Sequence, residues 1–219
     1  MATYDLEEQE QLEELKTWWK LHGTLVTAVI TAAAVAVVGW QGWQFWQTRQ
    51  SANAAQIYMS MQQALGQQDI KRVRMLAGEL IGNYAGTSYA GLGAMLSGKI
   101  LLESGDLKSA QAQFSWVVDN ATDPALRDLA RLRQAIVLAD DKAYEEALKL
   151  LAVVPARNFQ ARYLEVRGDI LAEQGKLPEA RTAYDEALKQ YEAAQKAAEV
   201  PVGPYREVLK AKRDAGGAA

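Results

Sequence analysis

The stretch RGDILAEQGKLPEARTAYDEA (residues 167–187) indicates two helices joined by a tight turn. Its apolar residues recur at intervals of three and four, which is typical of helices with one buried face, and the glycine of EQGKL can supply the backbone conformation that ends a helix. Two earlier stretches align with it, SGKILLESGDLKSAQAQFSWV (97–117) and QAIVLADDKAYEEALKLLAVV (134–154). The chain therefore contains a repeat of helix pairs.

The repeat consists of columns that have distinct packing roles. Small residues stand where two helices must approach closely, and leucines or large residues stand one turn away. The columns are Gly98, Ala135 and Gly168; Leu101, Leu138 and Leu171; Leu107, Tyr144 and Leu177; Ala110, Ala147 and Ala180; and Phe114, Leu151 and Tyr184. They are spaced by 37 and then 33 residues, which brackets the tetratricopeptide unit of about 34 residues. The sequence predicts an all-α fold with a tetratricopeptide-like helical-repeat solenoid.

Two further segments extend this pattern. A helix pair at roughly 50–66 and 69–83 is interpreted as a degenerate first unit. After the VPVGP break at 200–204, the short helix YREVLKAKRD is expected to cap the stack, since the last unit of a solenoid needs a cover for its outer face.

A long uncharged segment, LHGTLVTAVITAAAVAVVGWQGWQFWQT (21–48), precedes the repeats. As a helix it would rise about 42 Å, enough to cross a hydrocarbon core of about 30 Å. Tryptophans, which prefer the headgroup zone, stand at both ends: Trp18 and Trp19 before it, and Trp40, Trp43 and Trp46 at its close. The segment is predicted to be a single transmembrane helix.

Two other interpretations of this segment are weaker. A cleavable signal peptide begins with basic residues, whereas residues 1–20 hold six acids against Lys16 and Lys20. Ala52-Asn53-Ala54 resembles a cleavage site but lies far beyond the apolar run. A buried helix of a soluble protein seldom stays uncharged over such a length.

Orientation follows the lysines and arginines that flank the span. Lys16 and Lys20 precede it and Arg49 follows it, which favours a cytoplasmic N-terminus by one charge. The expected organisation is an acidic cytoplasmic tail (1–20), the transmembrane helix (21–48), a helical-repeat domain outside (49–200) and a capping helix with a tail (201–219).

The sequence from LEEQEQLEELKTWWKLHG through the Ala/Val-rich helix ending in GWQGWQFW to the degenerate tetratricopeptide domain resembles the ancillary SecYEG translocon subunit family, the YfgM-like proteins. This resemblance extends over almost the whole chain. It implies an inner-membrane protein of Gram-negative bacteria with a periplasmic helical domain. It also implies association with the SecYEG channel and with a PpiD-like periplasmic chaperone, and a role in handing secreted or unfolded polypeptides to chaperones.

Catalytic chemistry finds little support in the sequence. There is no cysteine, and the one histidine, His22, is expected at the membrane interface beside Trp18 and Trp19. A lone histidine provides neither a metal site nor a nucleophile with its base. Outside the acidic tail the chain is nearly neutral, which gives no reason to expect nucleic acid. We therefore expect neither an enzyme nor a cofactor.

Two surfaces are candidates for partner recognition. The first helices of successive units are expected to line a concave groove that is apolar at one end, with Leu92, Met95, Lys99, Leu102, Leu129, Leu132 and Ile136. The groove turns charged at Arg162, Glu165 and Asp169. These leucines could instead be core, or be covered by the C-terminal helix.

The second candidate surface lies on the membrane helix. Ala28, Ala32 and Ala36 form a smooth stripe that could dock another membrane helix, because small residues allow close approach within lipid. Thr27, Thr31 and Val35 form a rival face.

The expected function is therefore a membrane-anchored scaffold or adaptor at the secretion channel. The alternative is a regulatory adaptor that sequesters a stress-response signalling protein.

Overall fold

The computed structural model describes residues 3–197 and 203–215, and over these ranges every regular element is a helix. Most of the VPVGP break and the final residues 216–219 lie outside the described residues. The helices are α1 Thr3–Gly66, α2 Ile70–Asn83, α3 Ser88–Glu103, α4 Leu107–Asn120, α5 Pro124–Asp140, α6 Tyr144–Leu150, α7 Arg157–Glu173, α8 Leu177–Lys196 and α9 Tyr205–Ala215. The chain divides into two compact units, residues 1–50 and residues 51–219.

The unit of residues 1–50 consists of the N-terminal part of α1. Among the described residues, α1 is the one helix long and apolar enough to cross a membrane. Its large apolar side chains are exposed, with Leu25 at 65% and Val35 at 67%. By its length and composition this apolar helix fits the hydrocarbon core of a membrane. The Thr27 hydroxyl donates to the Gly23 carbonyl at 2.7 Å, so this polar group is satisfied within the helix.

The unit of residues 51–219 is a stack of helix pairs. The end of α1 pairs with α2, since Met61 and Ala64 share a core cluster with Val73 of α2. The pairs α3 with α4, α5 with α6 and α7 with α8 follow, as the contacts between consecutive helices indicate. The helix α9 packs on the last pair, where Leu209 is fully buried beside Leu188 and Tyr191. The predicted all-α repeat architecture is confirmed.

The same turn joins the helices in each pair. A backbone N–H after the turn donates to a carbonyl near the end of the first helix, for example Asp106 to Leu101 at 2.9 Å and Lys176 to Leu171 at 2.9 Å. The equivalent bonds in the other pairs run from Asp69 to Ala64 and from Ala143 to Leu138. One residue in each turn has a positive φ: Gln68 at 58°, Gly105 at 80°, Lys142 at 62° and Gly175 at 75°. This is the hydrogen-bonded glycine turn that commonly ends helices, here built twice without glycine.

The columns of the repeat lie in the core. Phe114 is 1% exposed and Tyr184 is 3% exposed, and a Cβ placed on Gly98 or Gly168 would lie 2.7 Å from the Phe114 ring or 2.6 Å from the Tyr184 ring. The ring of each second helix thus rests against the backbone of the first. In the middle pair the same positions hold Ala135 and Leu151. Alanine is larger than the glycine of the other two pairs, and leucine is smaller than their aromatic residue. Packing volume is conserved between pairs although residue identity is not.

The turn geometry gives opposite expectations for two substitutions. Gly175→Ala should lower the free energy of unfolding by about 1 kcal/mol, because an L-residue is strained in the left-handed region. Lys142→Gly should raise it by about 0.5 kcal/mol, since relief of that strain exceeds the entropy that glycine adds to the unfolded chain. Urea unfolding of the full chain in detergent, followed by circular dichroism, measures both.

Lys189→Gly is the matched control for Lys142→Gly. Lys189 is exposed within α8, where glycine should cost about 1 kcal/mol of helix stability. If the lysine-to-glycine change lowers stability at both positions, the left-handed turn at Lys142 does not store the strain assigned to it.

Candidate concave binding surface

The apolar end of the predicted groove is an open cavity of about 280 Å³. Three successive first helices contribute to its wall, namely α1 through Tyr58, α3 and α5, while Phe114 of α4 forms part of the lining. The lining is largely apolar, with two cations, Lys99 and Arg133. It comprises Tyr58, Leu92, Met95, Leu96, Lys99, Leu102, Phe114, Leu126, Leu129 and Arg133.

Five of the seven groove residues predicted from the sequence line this cavity: Leu92, Met95, Lys99, Leu102 and Leu129. Leu92 is the most accessible of the apolar residues, at 37% exposed. Lys99 is exposed and lies 3.6 Å from Glu103, an ion pair one helical turn away that solvent screens. The structure thus brings these five positions together around one opening.

The other two predicted groove residues have a different environment. Leu132 is 4% exposed and belongs to a core cluster with Tyr163, Val166 and Ile170 of α7. Ile136 is partly buried and packs against the same cluster. These two side chains face α7 and are therefore part of the core between neighbouring helix pairs.

Sequence reasoning missed several residues of the lining. Leu126 and Arg133 lie three residues before and four residues after Leu129, which places all three on one stripe of α5. Leu132 and Ile136 lie on the adjacent stripe, which faces α7. The repeat alignment identified residues at equivalent positions of each unit but did not resolve the two stripes that one first helix presents to its two neighbours.

The charged end of the predicted groove is covered by α9. Glu165 is 1% exposed and accepts hydrogen bonds from the Tyr205 hydroxyl at 2.6 Å, from Lys212 Nζ at 2.7 Å and from Arg162. Lys212 Nζ also donates to both oxygens of Asp169, at 2.8 and 2.7 Å. This end of the surface is therefore occupied by a helix of the same chain.

The electrostatics of this covered end favour its charged state. Burial alone would raise the pKa of Glu165, but hydrogen bonds from Lys212 and Tyr205 and the charge of Arg162 outweigh it and hold the pKa below its ordinary value. Burial would lower the pKa of Lys212, but its bonds to Asp169 and Glu165 raise it. Burial and the adjacent Glu165 raise the pKa of the Tyr205 hydroxyl, so it remains a donor at neutral pH.

The predicted membrane stripe lies on α1. Ala28, Ala32 and Ala36 are all exposed on the surface of this helix. His22 stacks on Trp18, with 5.4 Å between ring centroids, at the N-terminal side of the apolar run. Within the residues that the structure describes, no group of three His, Asp or Glu side chains lies close enough to hold a metal ion.

Comparison with known proteins agrees with this architecture. Residues 16–217 match the family described as tetratricopeptide repeat-like domain, which covers both the apolar segment and the helix pairs. A protein of Neisseria gonorrhoeae named ancillary SecYEG translocon subunit is 26% identical over 210 residues, covering 95% of this chain and 97% of that protein. A protein of the same name from Haemophilus influenzae is 27% identical over 184 residues, covering 84% of this chain and 90% of its own length.

These similarities extend along both units of the chain. Aggregatibacter actinomycetemcomitans has a further protein of the same name, 26% identical over 188 residues. The match of the family to residues 16–217, together with the helix pairs and their shared turns, establishes that the chain belongs to the tetratricopeptide repeat-like domain family.

Proposed function

We propose that this chain is an anchored, non-enzymatic subunit of the SecYEG translocon. The observation that carries the proposal is the extent of similarity to proteins named ancillary SecYEG translocon subunit, which in one case covers 95% of this chain and 97% of the relative. A relative that shared only the repeat domain would support a scaffold of unspecified location. Similarity that includes the apolar segment supports a shared membrane setting as well.

The proposed topology places residues 1–20 in the cytoplasm, 21–48 across the inner membrane, and 49–200 with the C-terminal cap 201–219 in the periplasm. The lysine and arginine count around the span and the acidic N-terminal tail support this orientation. In this arrangement the concave surface lies on the side where polypeptides emerge from the channel. The proposed second partner is a PpiD-like membrane-anchored chaperone, to which secreted polypeptides would pass.

Topology is tested by a periplasmic reporter enzyme fused after the last residue. The fusion should be active, and the chain should stay in membranes washed with carbonate at its full length. The same reporter fused before residue 21 should be inactive, which serves as the control. Release of a soluble fragment that begins near Ala55 would contradict the anchor and support cleavage of the apolar segment.

Association is tested by photocrosslinking in cells from Leu92 at the cavity and from Ala32 in the span, followed by identification of the captured proteins. Recovery of the channel and of the chaperone supports the proposal. Recovery of a signalling protein in their place would replace it with the regulatory adaptor.

The membrane stripe provides a prediction about where recognition occurs. Ala28→Leu combined with Ala32→Leu should retain insertion but reduce co-purification of the channel several-fold, because leucine prevents close approach of a partner helix within lipid. Thr31→Leu combined with Val35→Leu adds bulk to the rival face and should leave recovery unchanged. Equal recovery from both variants would assign recognition to the helical-repeat unit instead.

A further inference from the structure

We propose that the cavity between α3 and α5 binds a segment that presents a large apolar side chain flanked by carboxylates. This inference deepens the proposed function, on which it rests, by defining the chemistry of the polypeptide that the concave surface accepts. Its evidence is the combination of an apolar lining with two cations, Lys99 and Arg133, in the same wall.

The dimensions of the cavity fit one or two side chains. Its volume is about 280 Å³, and its wall is formed by leucines and a methionine, with Phe114 in the lining. Such a surface gains most from burying an aromatic or a large aliphatic group. Met95 can adapt its unbranched side chain to occupants of different shape.

The charge of the lining selects among apolar segments. Lys99 has one exposed ion pair, with Glu103, and Arg133 makes no hydrogen bond or ion pair with the described residues. Because the lining has no carboxylate of its own, an occupant with acidic groups gains attraction and one with basic groups is repelled. An arginine and a lysine at one opening favour carboxylates over neutral amides.

At the other end of the same surface, the positions equivalent to those of the cavity are covered by a helix. On the repeat, Leu92, Met95 and Lys99 of α3 correspond to Arg162, Glu165 and Asp169 of α7. The α7 positions are covered by α9, which buries Leu209 and places Lys212 on the two carboxylates. An amphipathic helix with complementary charge thus already occupies the acidic end. The open end has the opposite charge and therefore calls for an acidic amphipathic segment.

The test uses the full chain in phosphatidylcholine nanodiscs and a 15-residue fluorescein-labelled helical peptide with one phenylalanine. Glutamates flank the phenylalanine in one peptide, and glutamines or lysines replace them in two others. The glutamate peptide should bind about tenfold more tightly than the glutamine peptide, and added salt should reduce this difference. Empty nanodiscs give the background from the lipid.

Two variants locate the binding. Lys99→Gln combined with Arg133→Gln should abolish the preference for glutamate, and Leu92→Trp, which fills the opening, should weaken all three peptides. The control Lys71→Gln with Arg72→Gln removes the same charge from exposed positions of α2 and should bind like the wild type. Equal binding of the glutamate and glutamine peptides to the wild type, or a preference for glutamate that survives in Lys99→Gln combined with Arg133→Gln, overturns the inference.

Co-purification of the channel from cells separates this result from the proposed function. If the Lys99 and Arg133 variant retains the channel but shows no peptide preference, the cavity has the assigned role. If the wild-type chain fails to recover the channel while its peptide preference is intact, the proposed function fails and the binding chemistry stands.

Discussion

Gly98→Ala and Phe114→Leu are expected to cost less together than the sum of the two single changes. The Gly98 Cβ would lie 2.7 Å from the Phe114 ring, so Gly98→Ala alone should overpack the core. We expect a net loss of up to about 2 kcal/mol, since overpacking of about 1–3 kcal/mol is offset by about 1 kcal/mol from the better helix propensity of alanine. Phe114→Leu alone leaves a cavity and should cost about 1–2 kcal/mol.

The double variant recreates a solution that the chain already contains. Ala135 and Leu151 occupy the equivalent positions of the middle pair, and both are buried there. The added methyl group and the lost ring should therefore compensate, with a coupling free energy of about 1 kcal/mol in urea unfolding. Gly78→Ala, an exposed change in α2 with no atom within 4 Å of the new Cβ, should stabilise the chain. Strict additivity of the two core changes would contradict the proposed exchange of volume between helices.

The same exchange of side-chain volume between the two helices explains why the repeat pattern is harder to recognise in the first helix pair than in the others. A shift of 37 residues relates the turn residues Gln68 and Gly105, and the same shift places Met61 at the position of Gly98 and Ala77 at that of Phe114. Met61 and Ala77 are both buried in one core cluster. The large residue is now on the first helix and the small one on the second. Periodicity predicts that both positions are buried, whereas the partition of volume between them depends on the local packing.

The candidate surface was predictable in part for a related reason. The repeat alignment predicted an accessible stripe on α3, and Leu92 and Lys99 of that helix line the open cavity. It also assigned Leu132 to the groove, although this side chain lies in the core. Side chains at equivalent positions of a solenoid point in the same direction from their helix pair. Whether they remain accessible depends on how closely the next helix approaches. The sequence of one unit does not define that distance.

The covered end of the surface leads to the second large effect, which concerns Lys212. Lys212→Met should cost about 3 kcal/mol, because it removes from buried Glu165 and from Asp169 a cation that contacts both. Arg162 and Tyr205 remain on Glu165 but do not supply the lost contact with Asp169. Release of α9 from α7 would hydrate both carboxylates, so the loss should appear as undocking of residues 205–215. Hydrogen exchange measured by mass spectrometry reports that opening directly.

The same cluster has a defined pH dependence. The folded-state pKa of Glu165 lies below its ordinary value of 4.5, so its carboxylate stabilises the docked helix above about pH 4.5 and this stability is lost as pH falls through the lowered pKa. The pKa of Lys212 is raised above 10.5, so its contribution is complete below that pH and disappears only in stronger alkali. Docking of α9 should therefore be stable near neutral pH and weaken in acid.

Three variants distinguish this cluster from a general effect of charge on α9. Lys210→Met removes a cation that bonds within α9 to exposed Glu207, and it should leave exchange across 205–215 unchanged. Glu165→Gln removes the titrating group, so the docking of α9 in this variant should lose most of its weakening below about pH 4.5.

Lys212→Met with Glu165→Met replaces the buried pair with apolar groups and should recover part of the stability lost by Lys212→Met alone. If Lys210→Met opens α9 as much as Lys212→Met does, the helix is held by its overall charge and not by the contacts of Lys212 with Glu165 and Asp169.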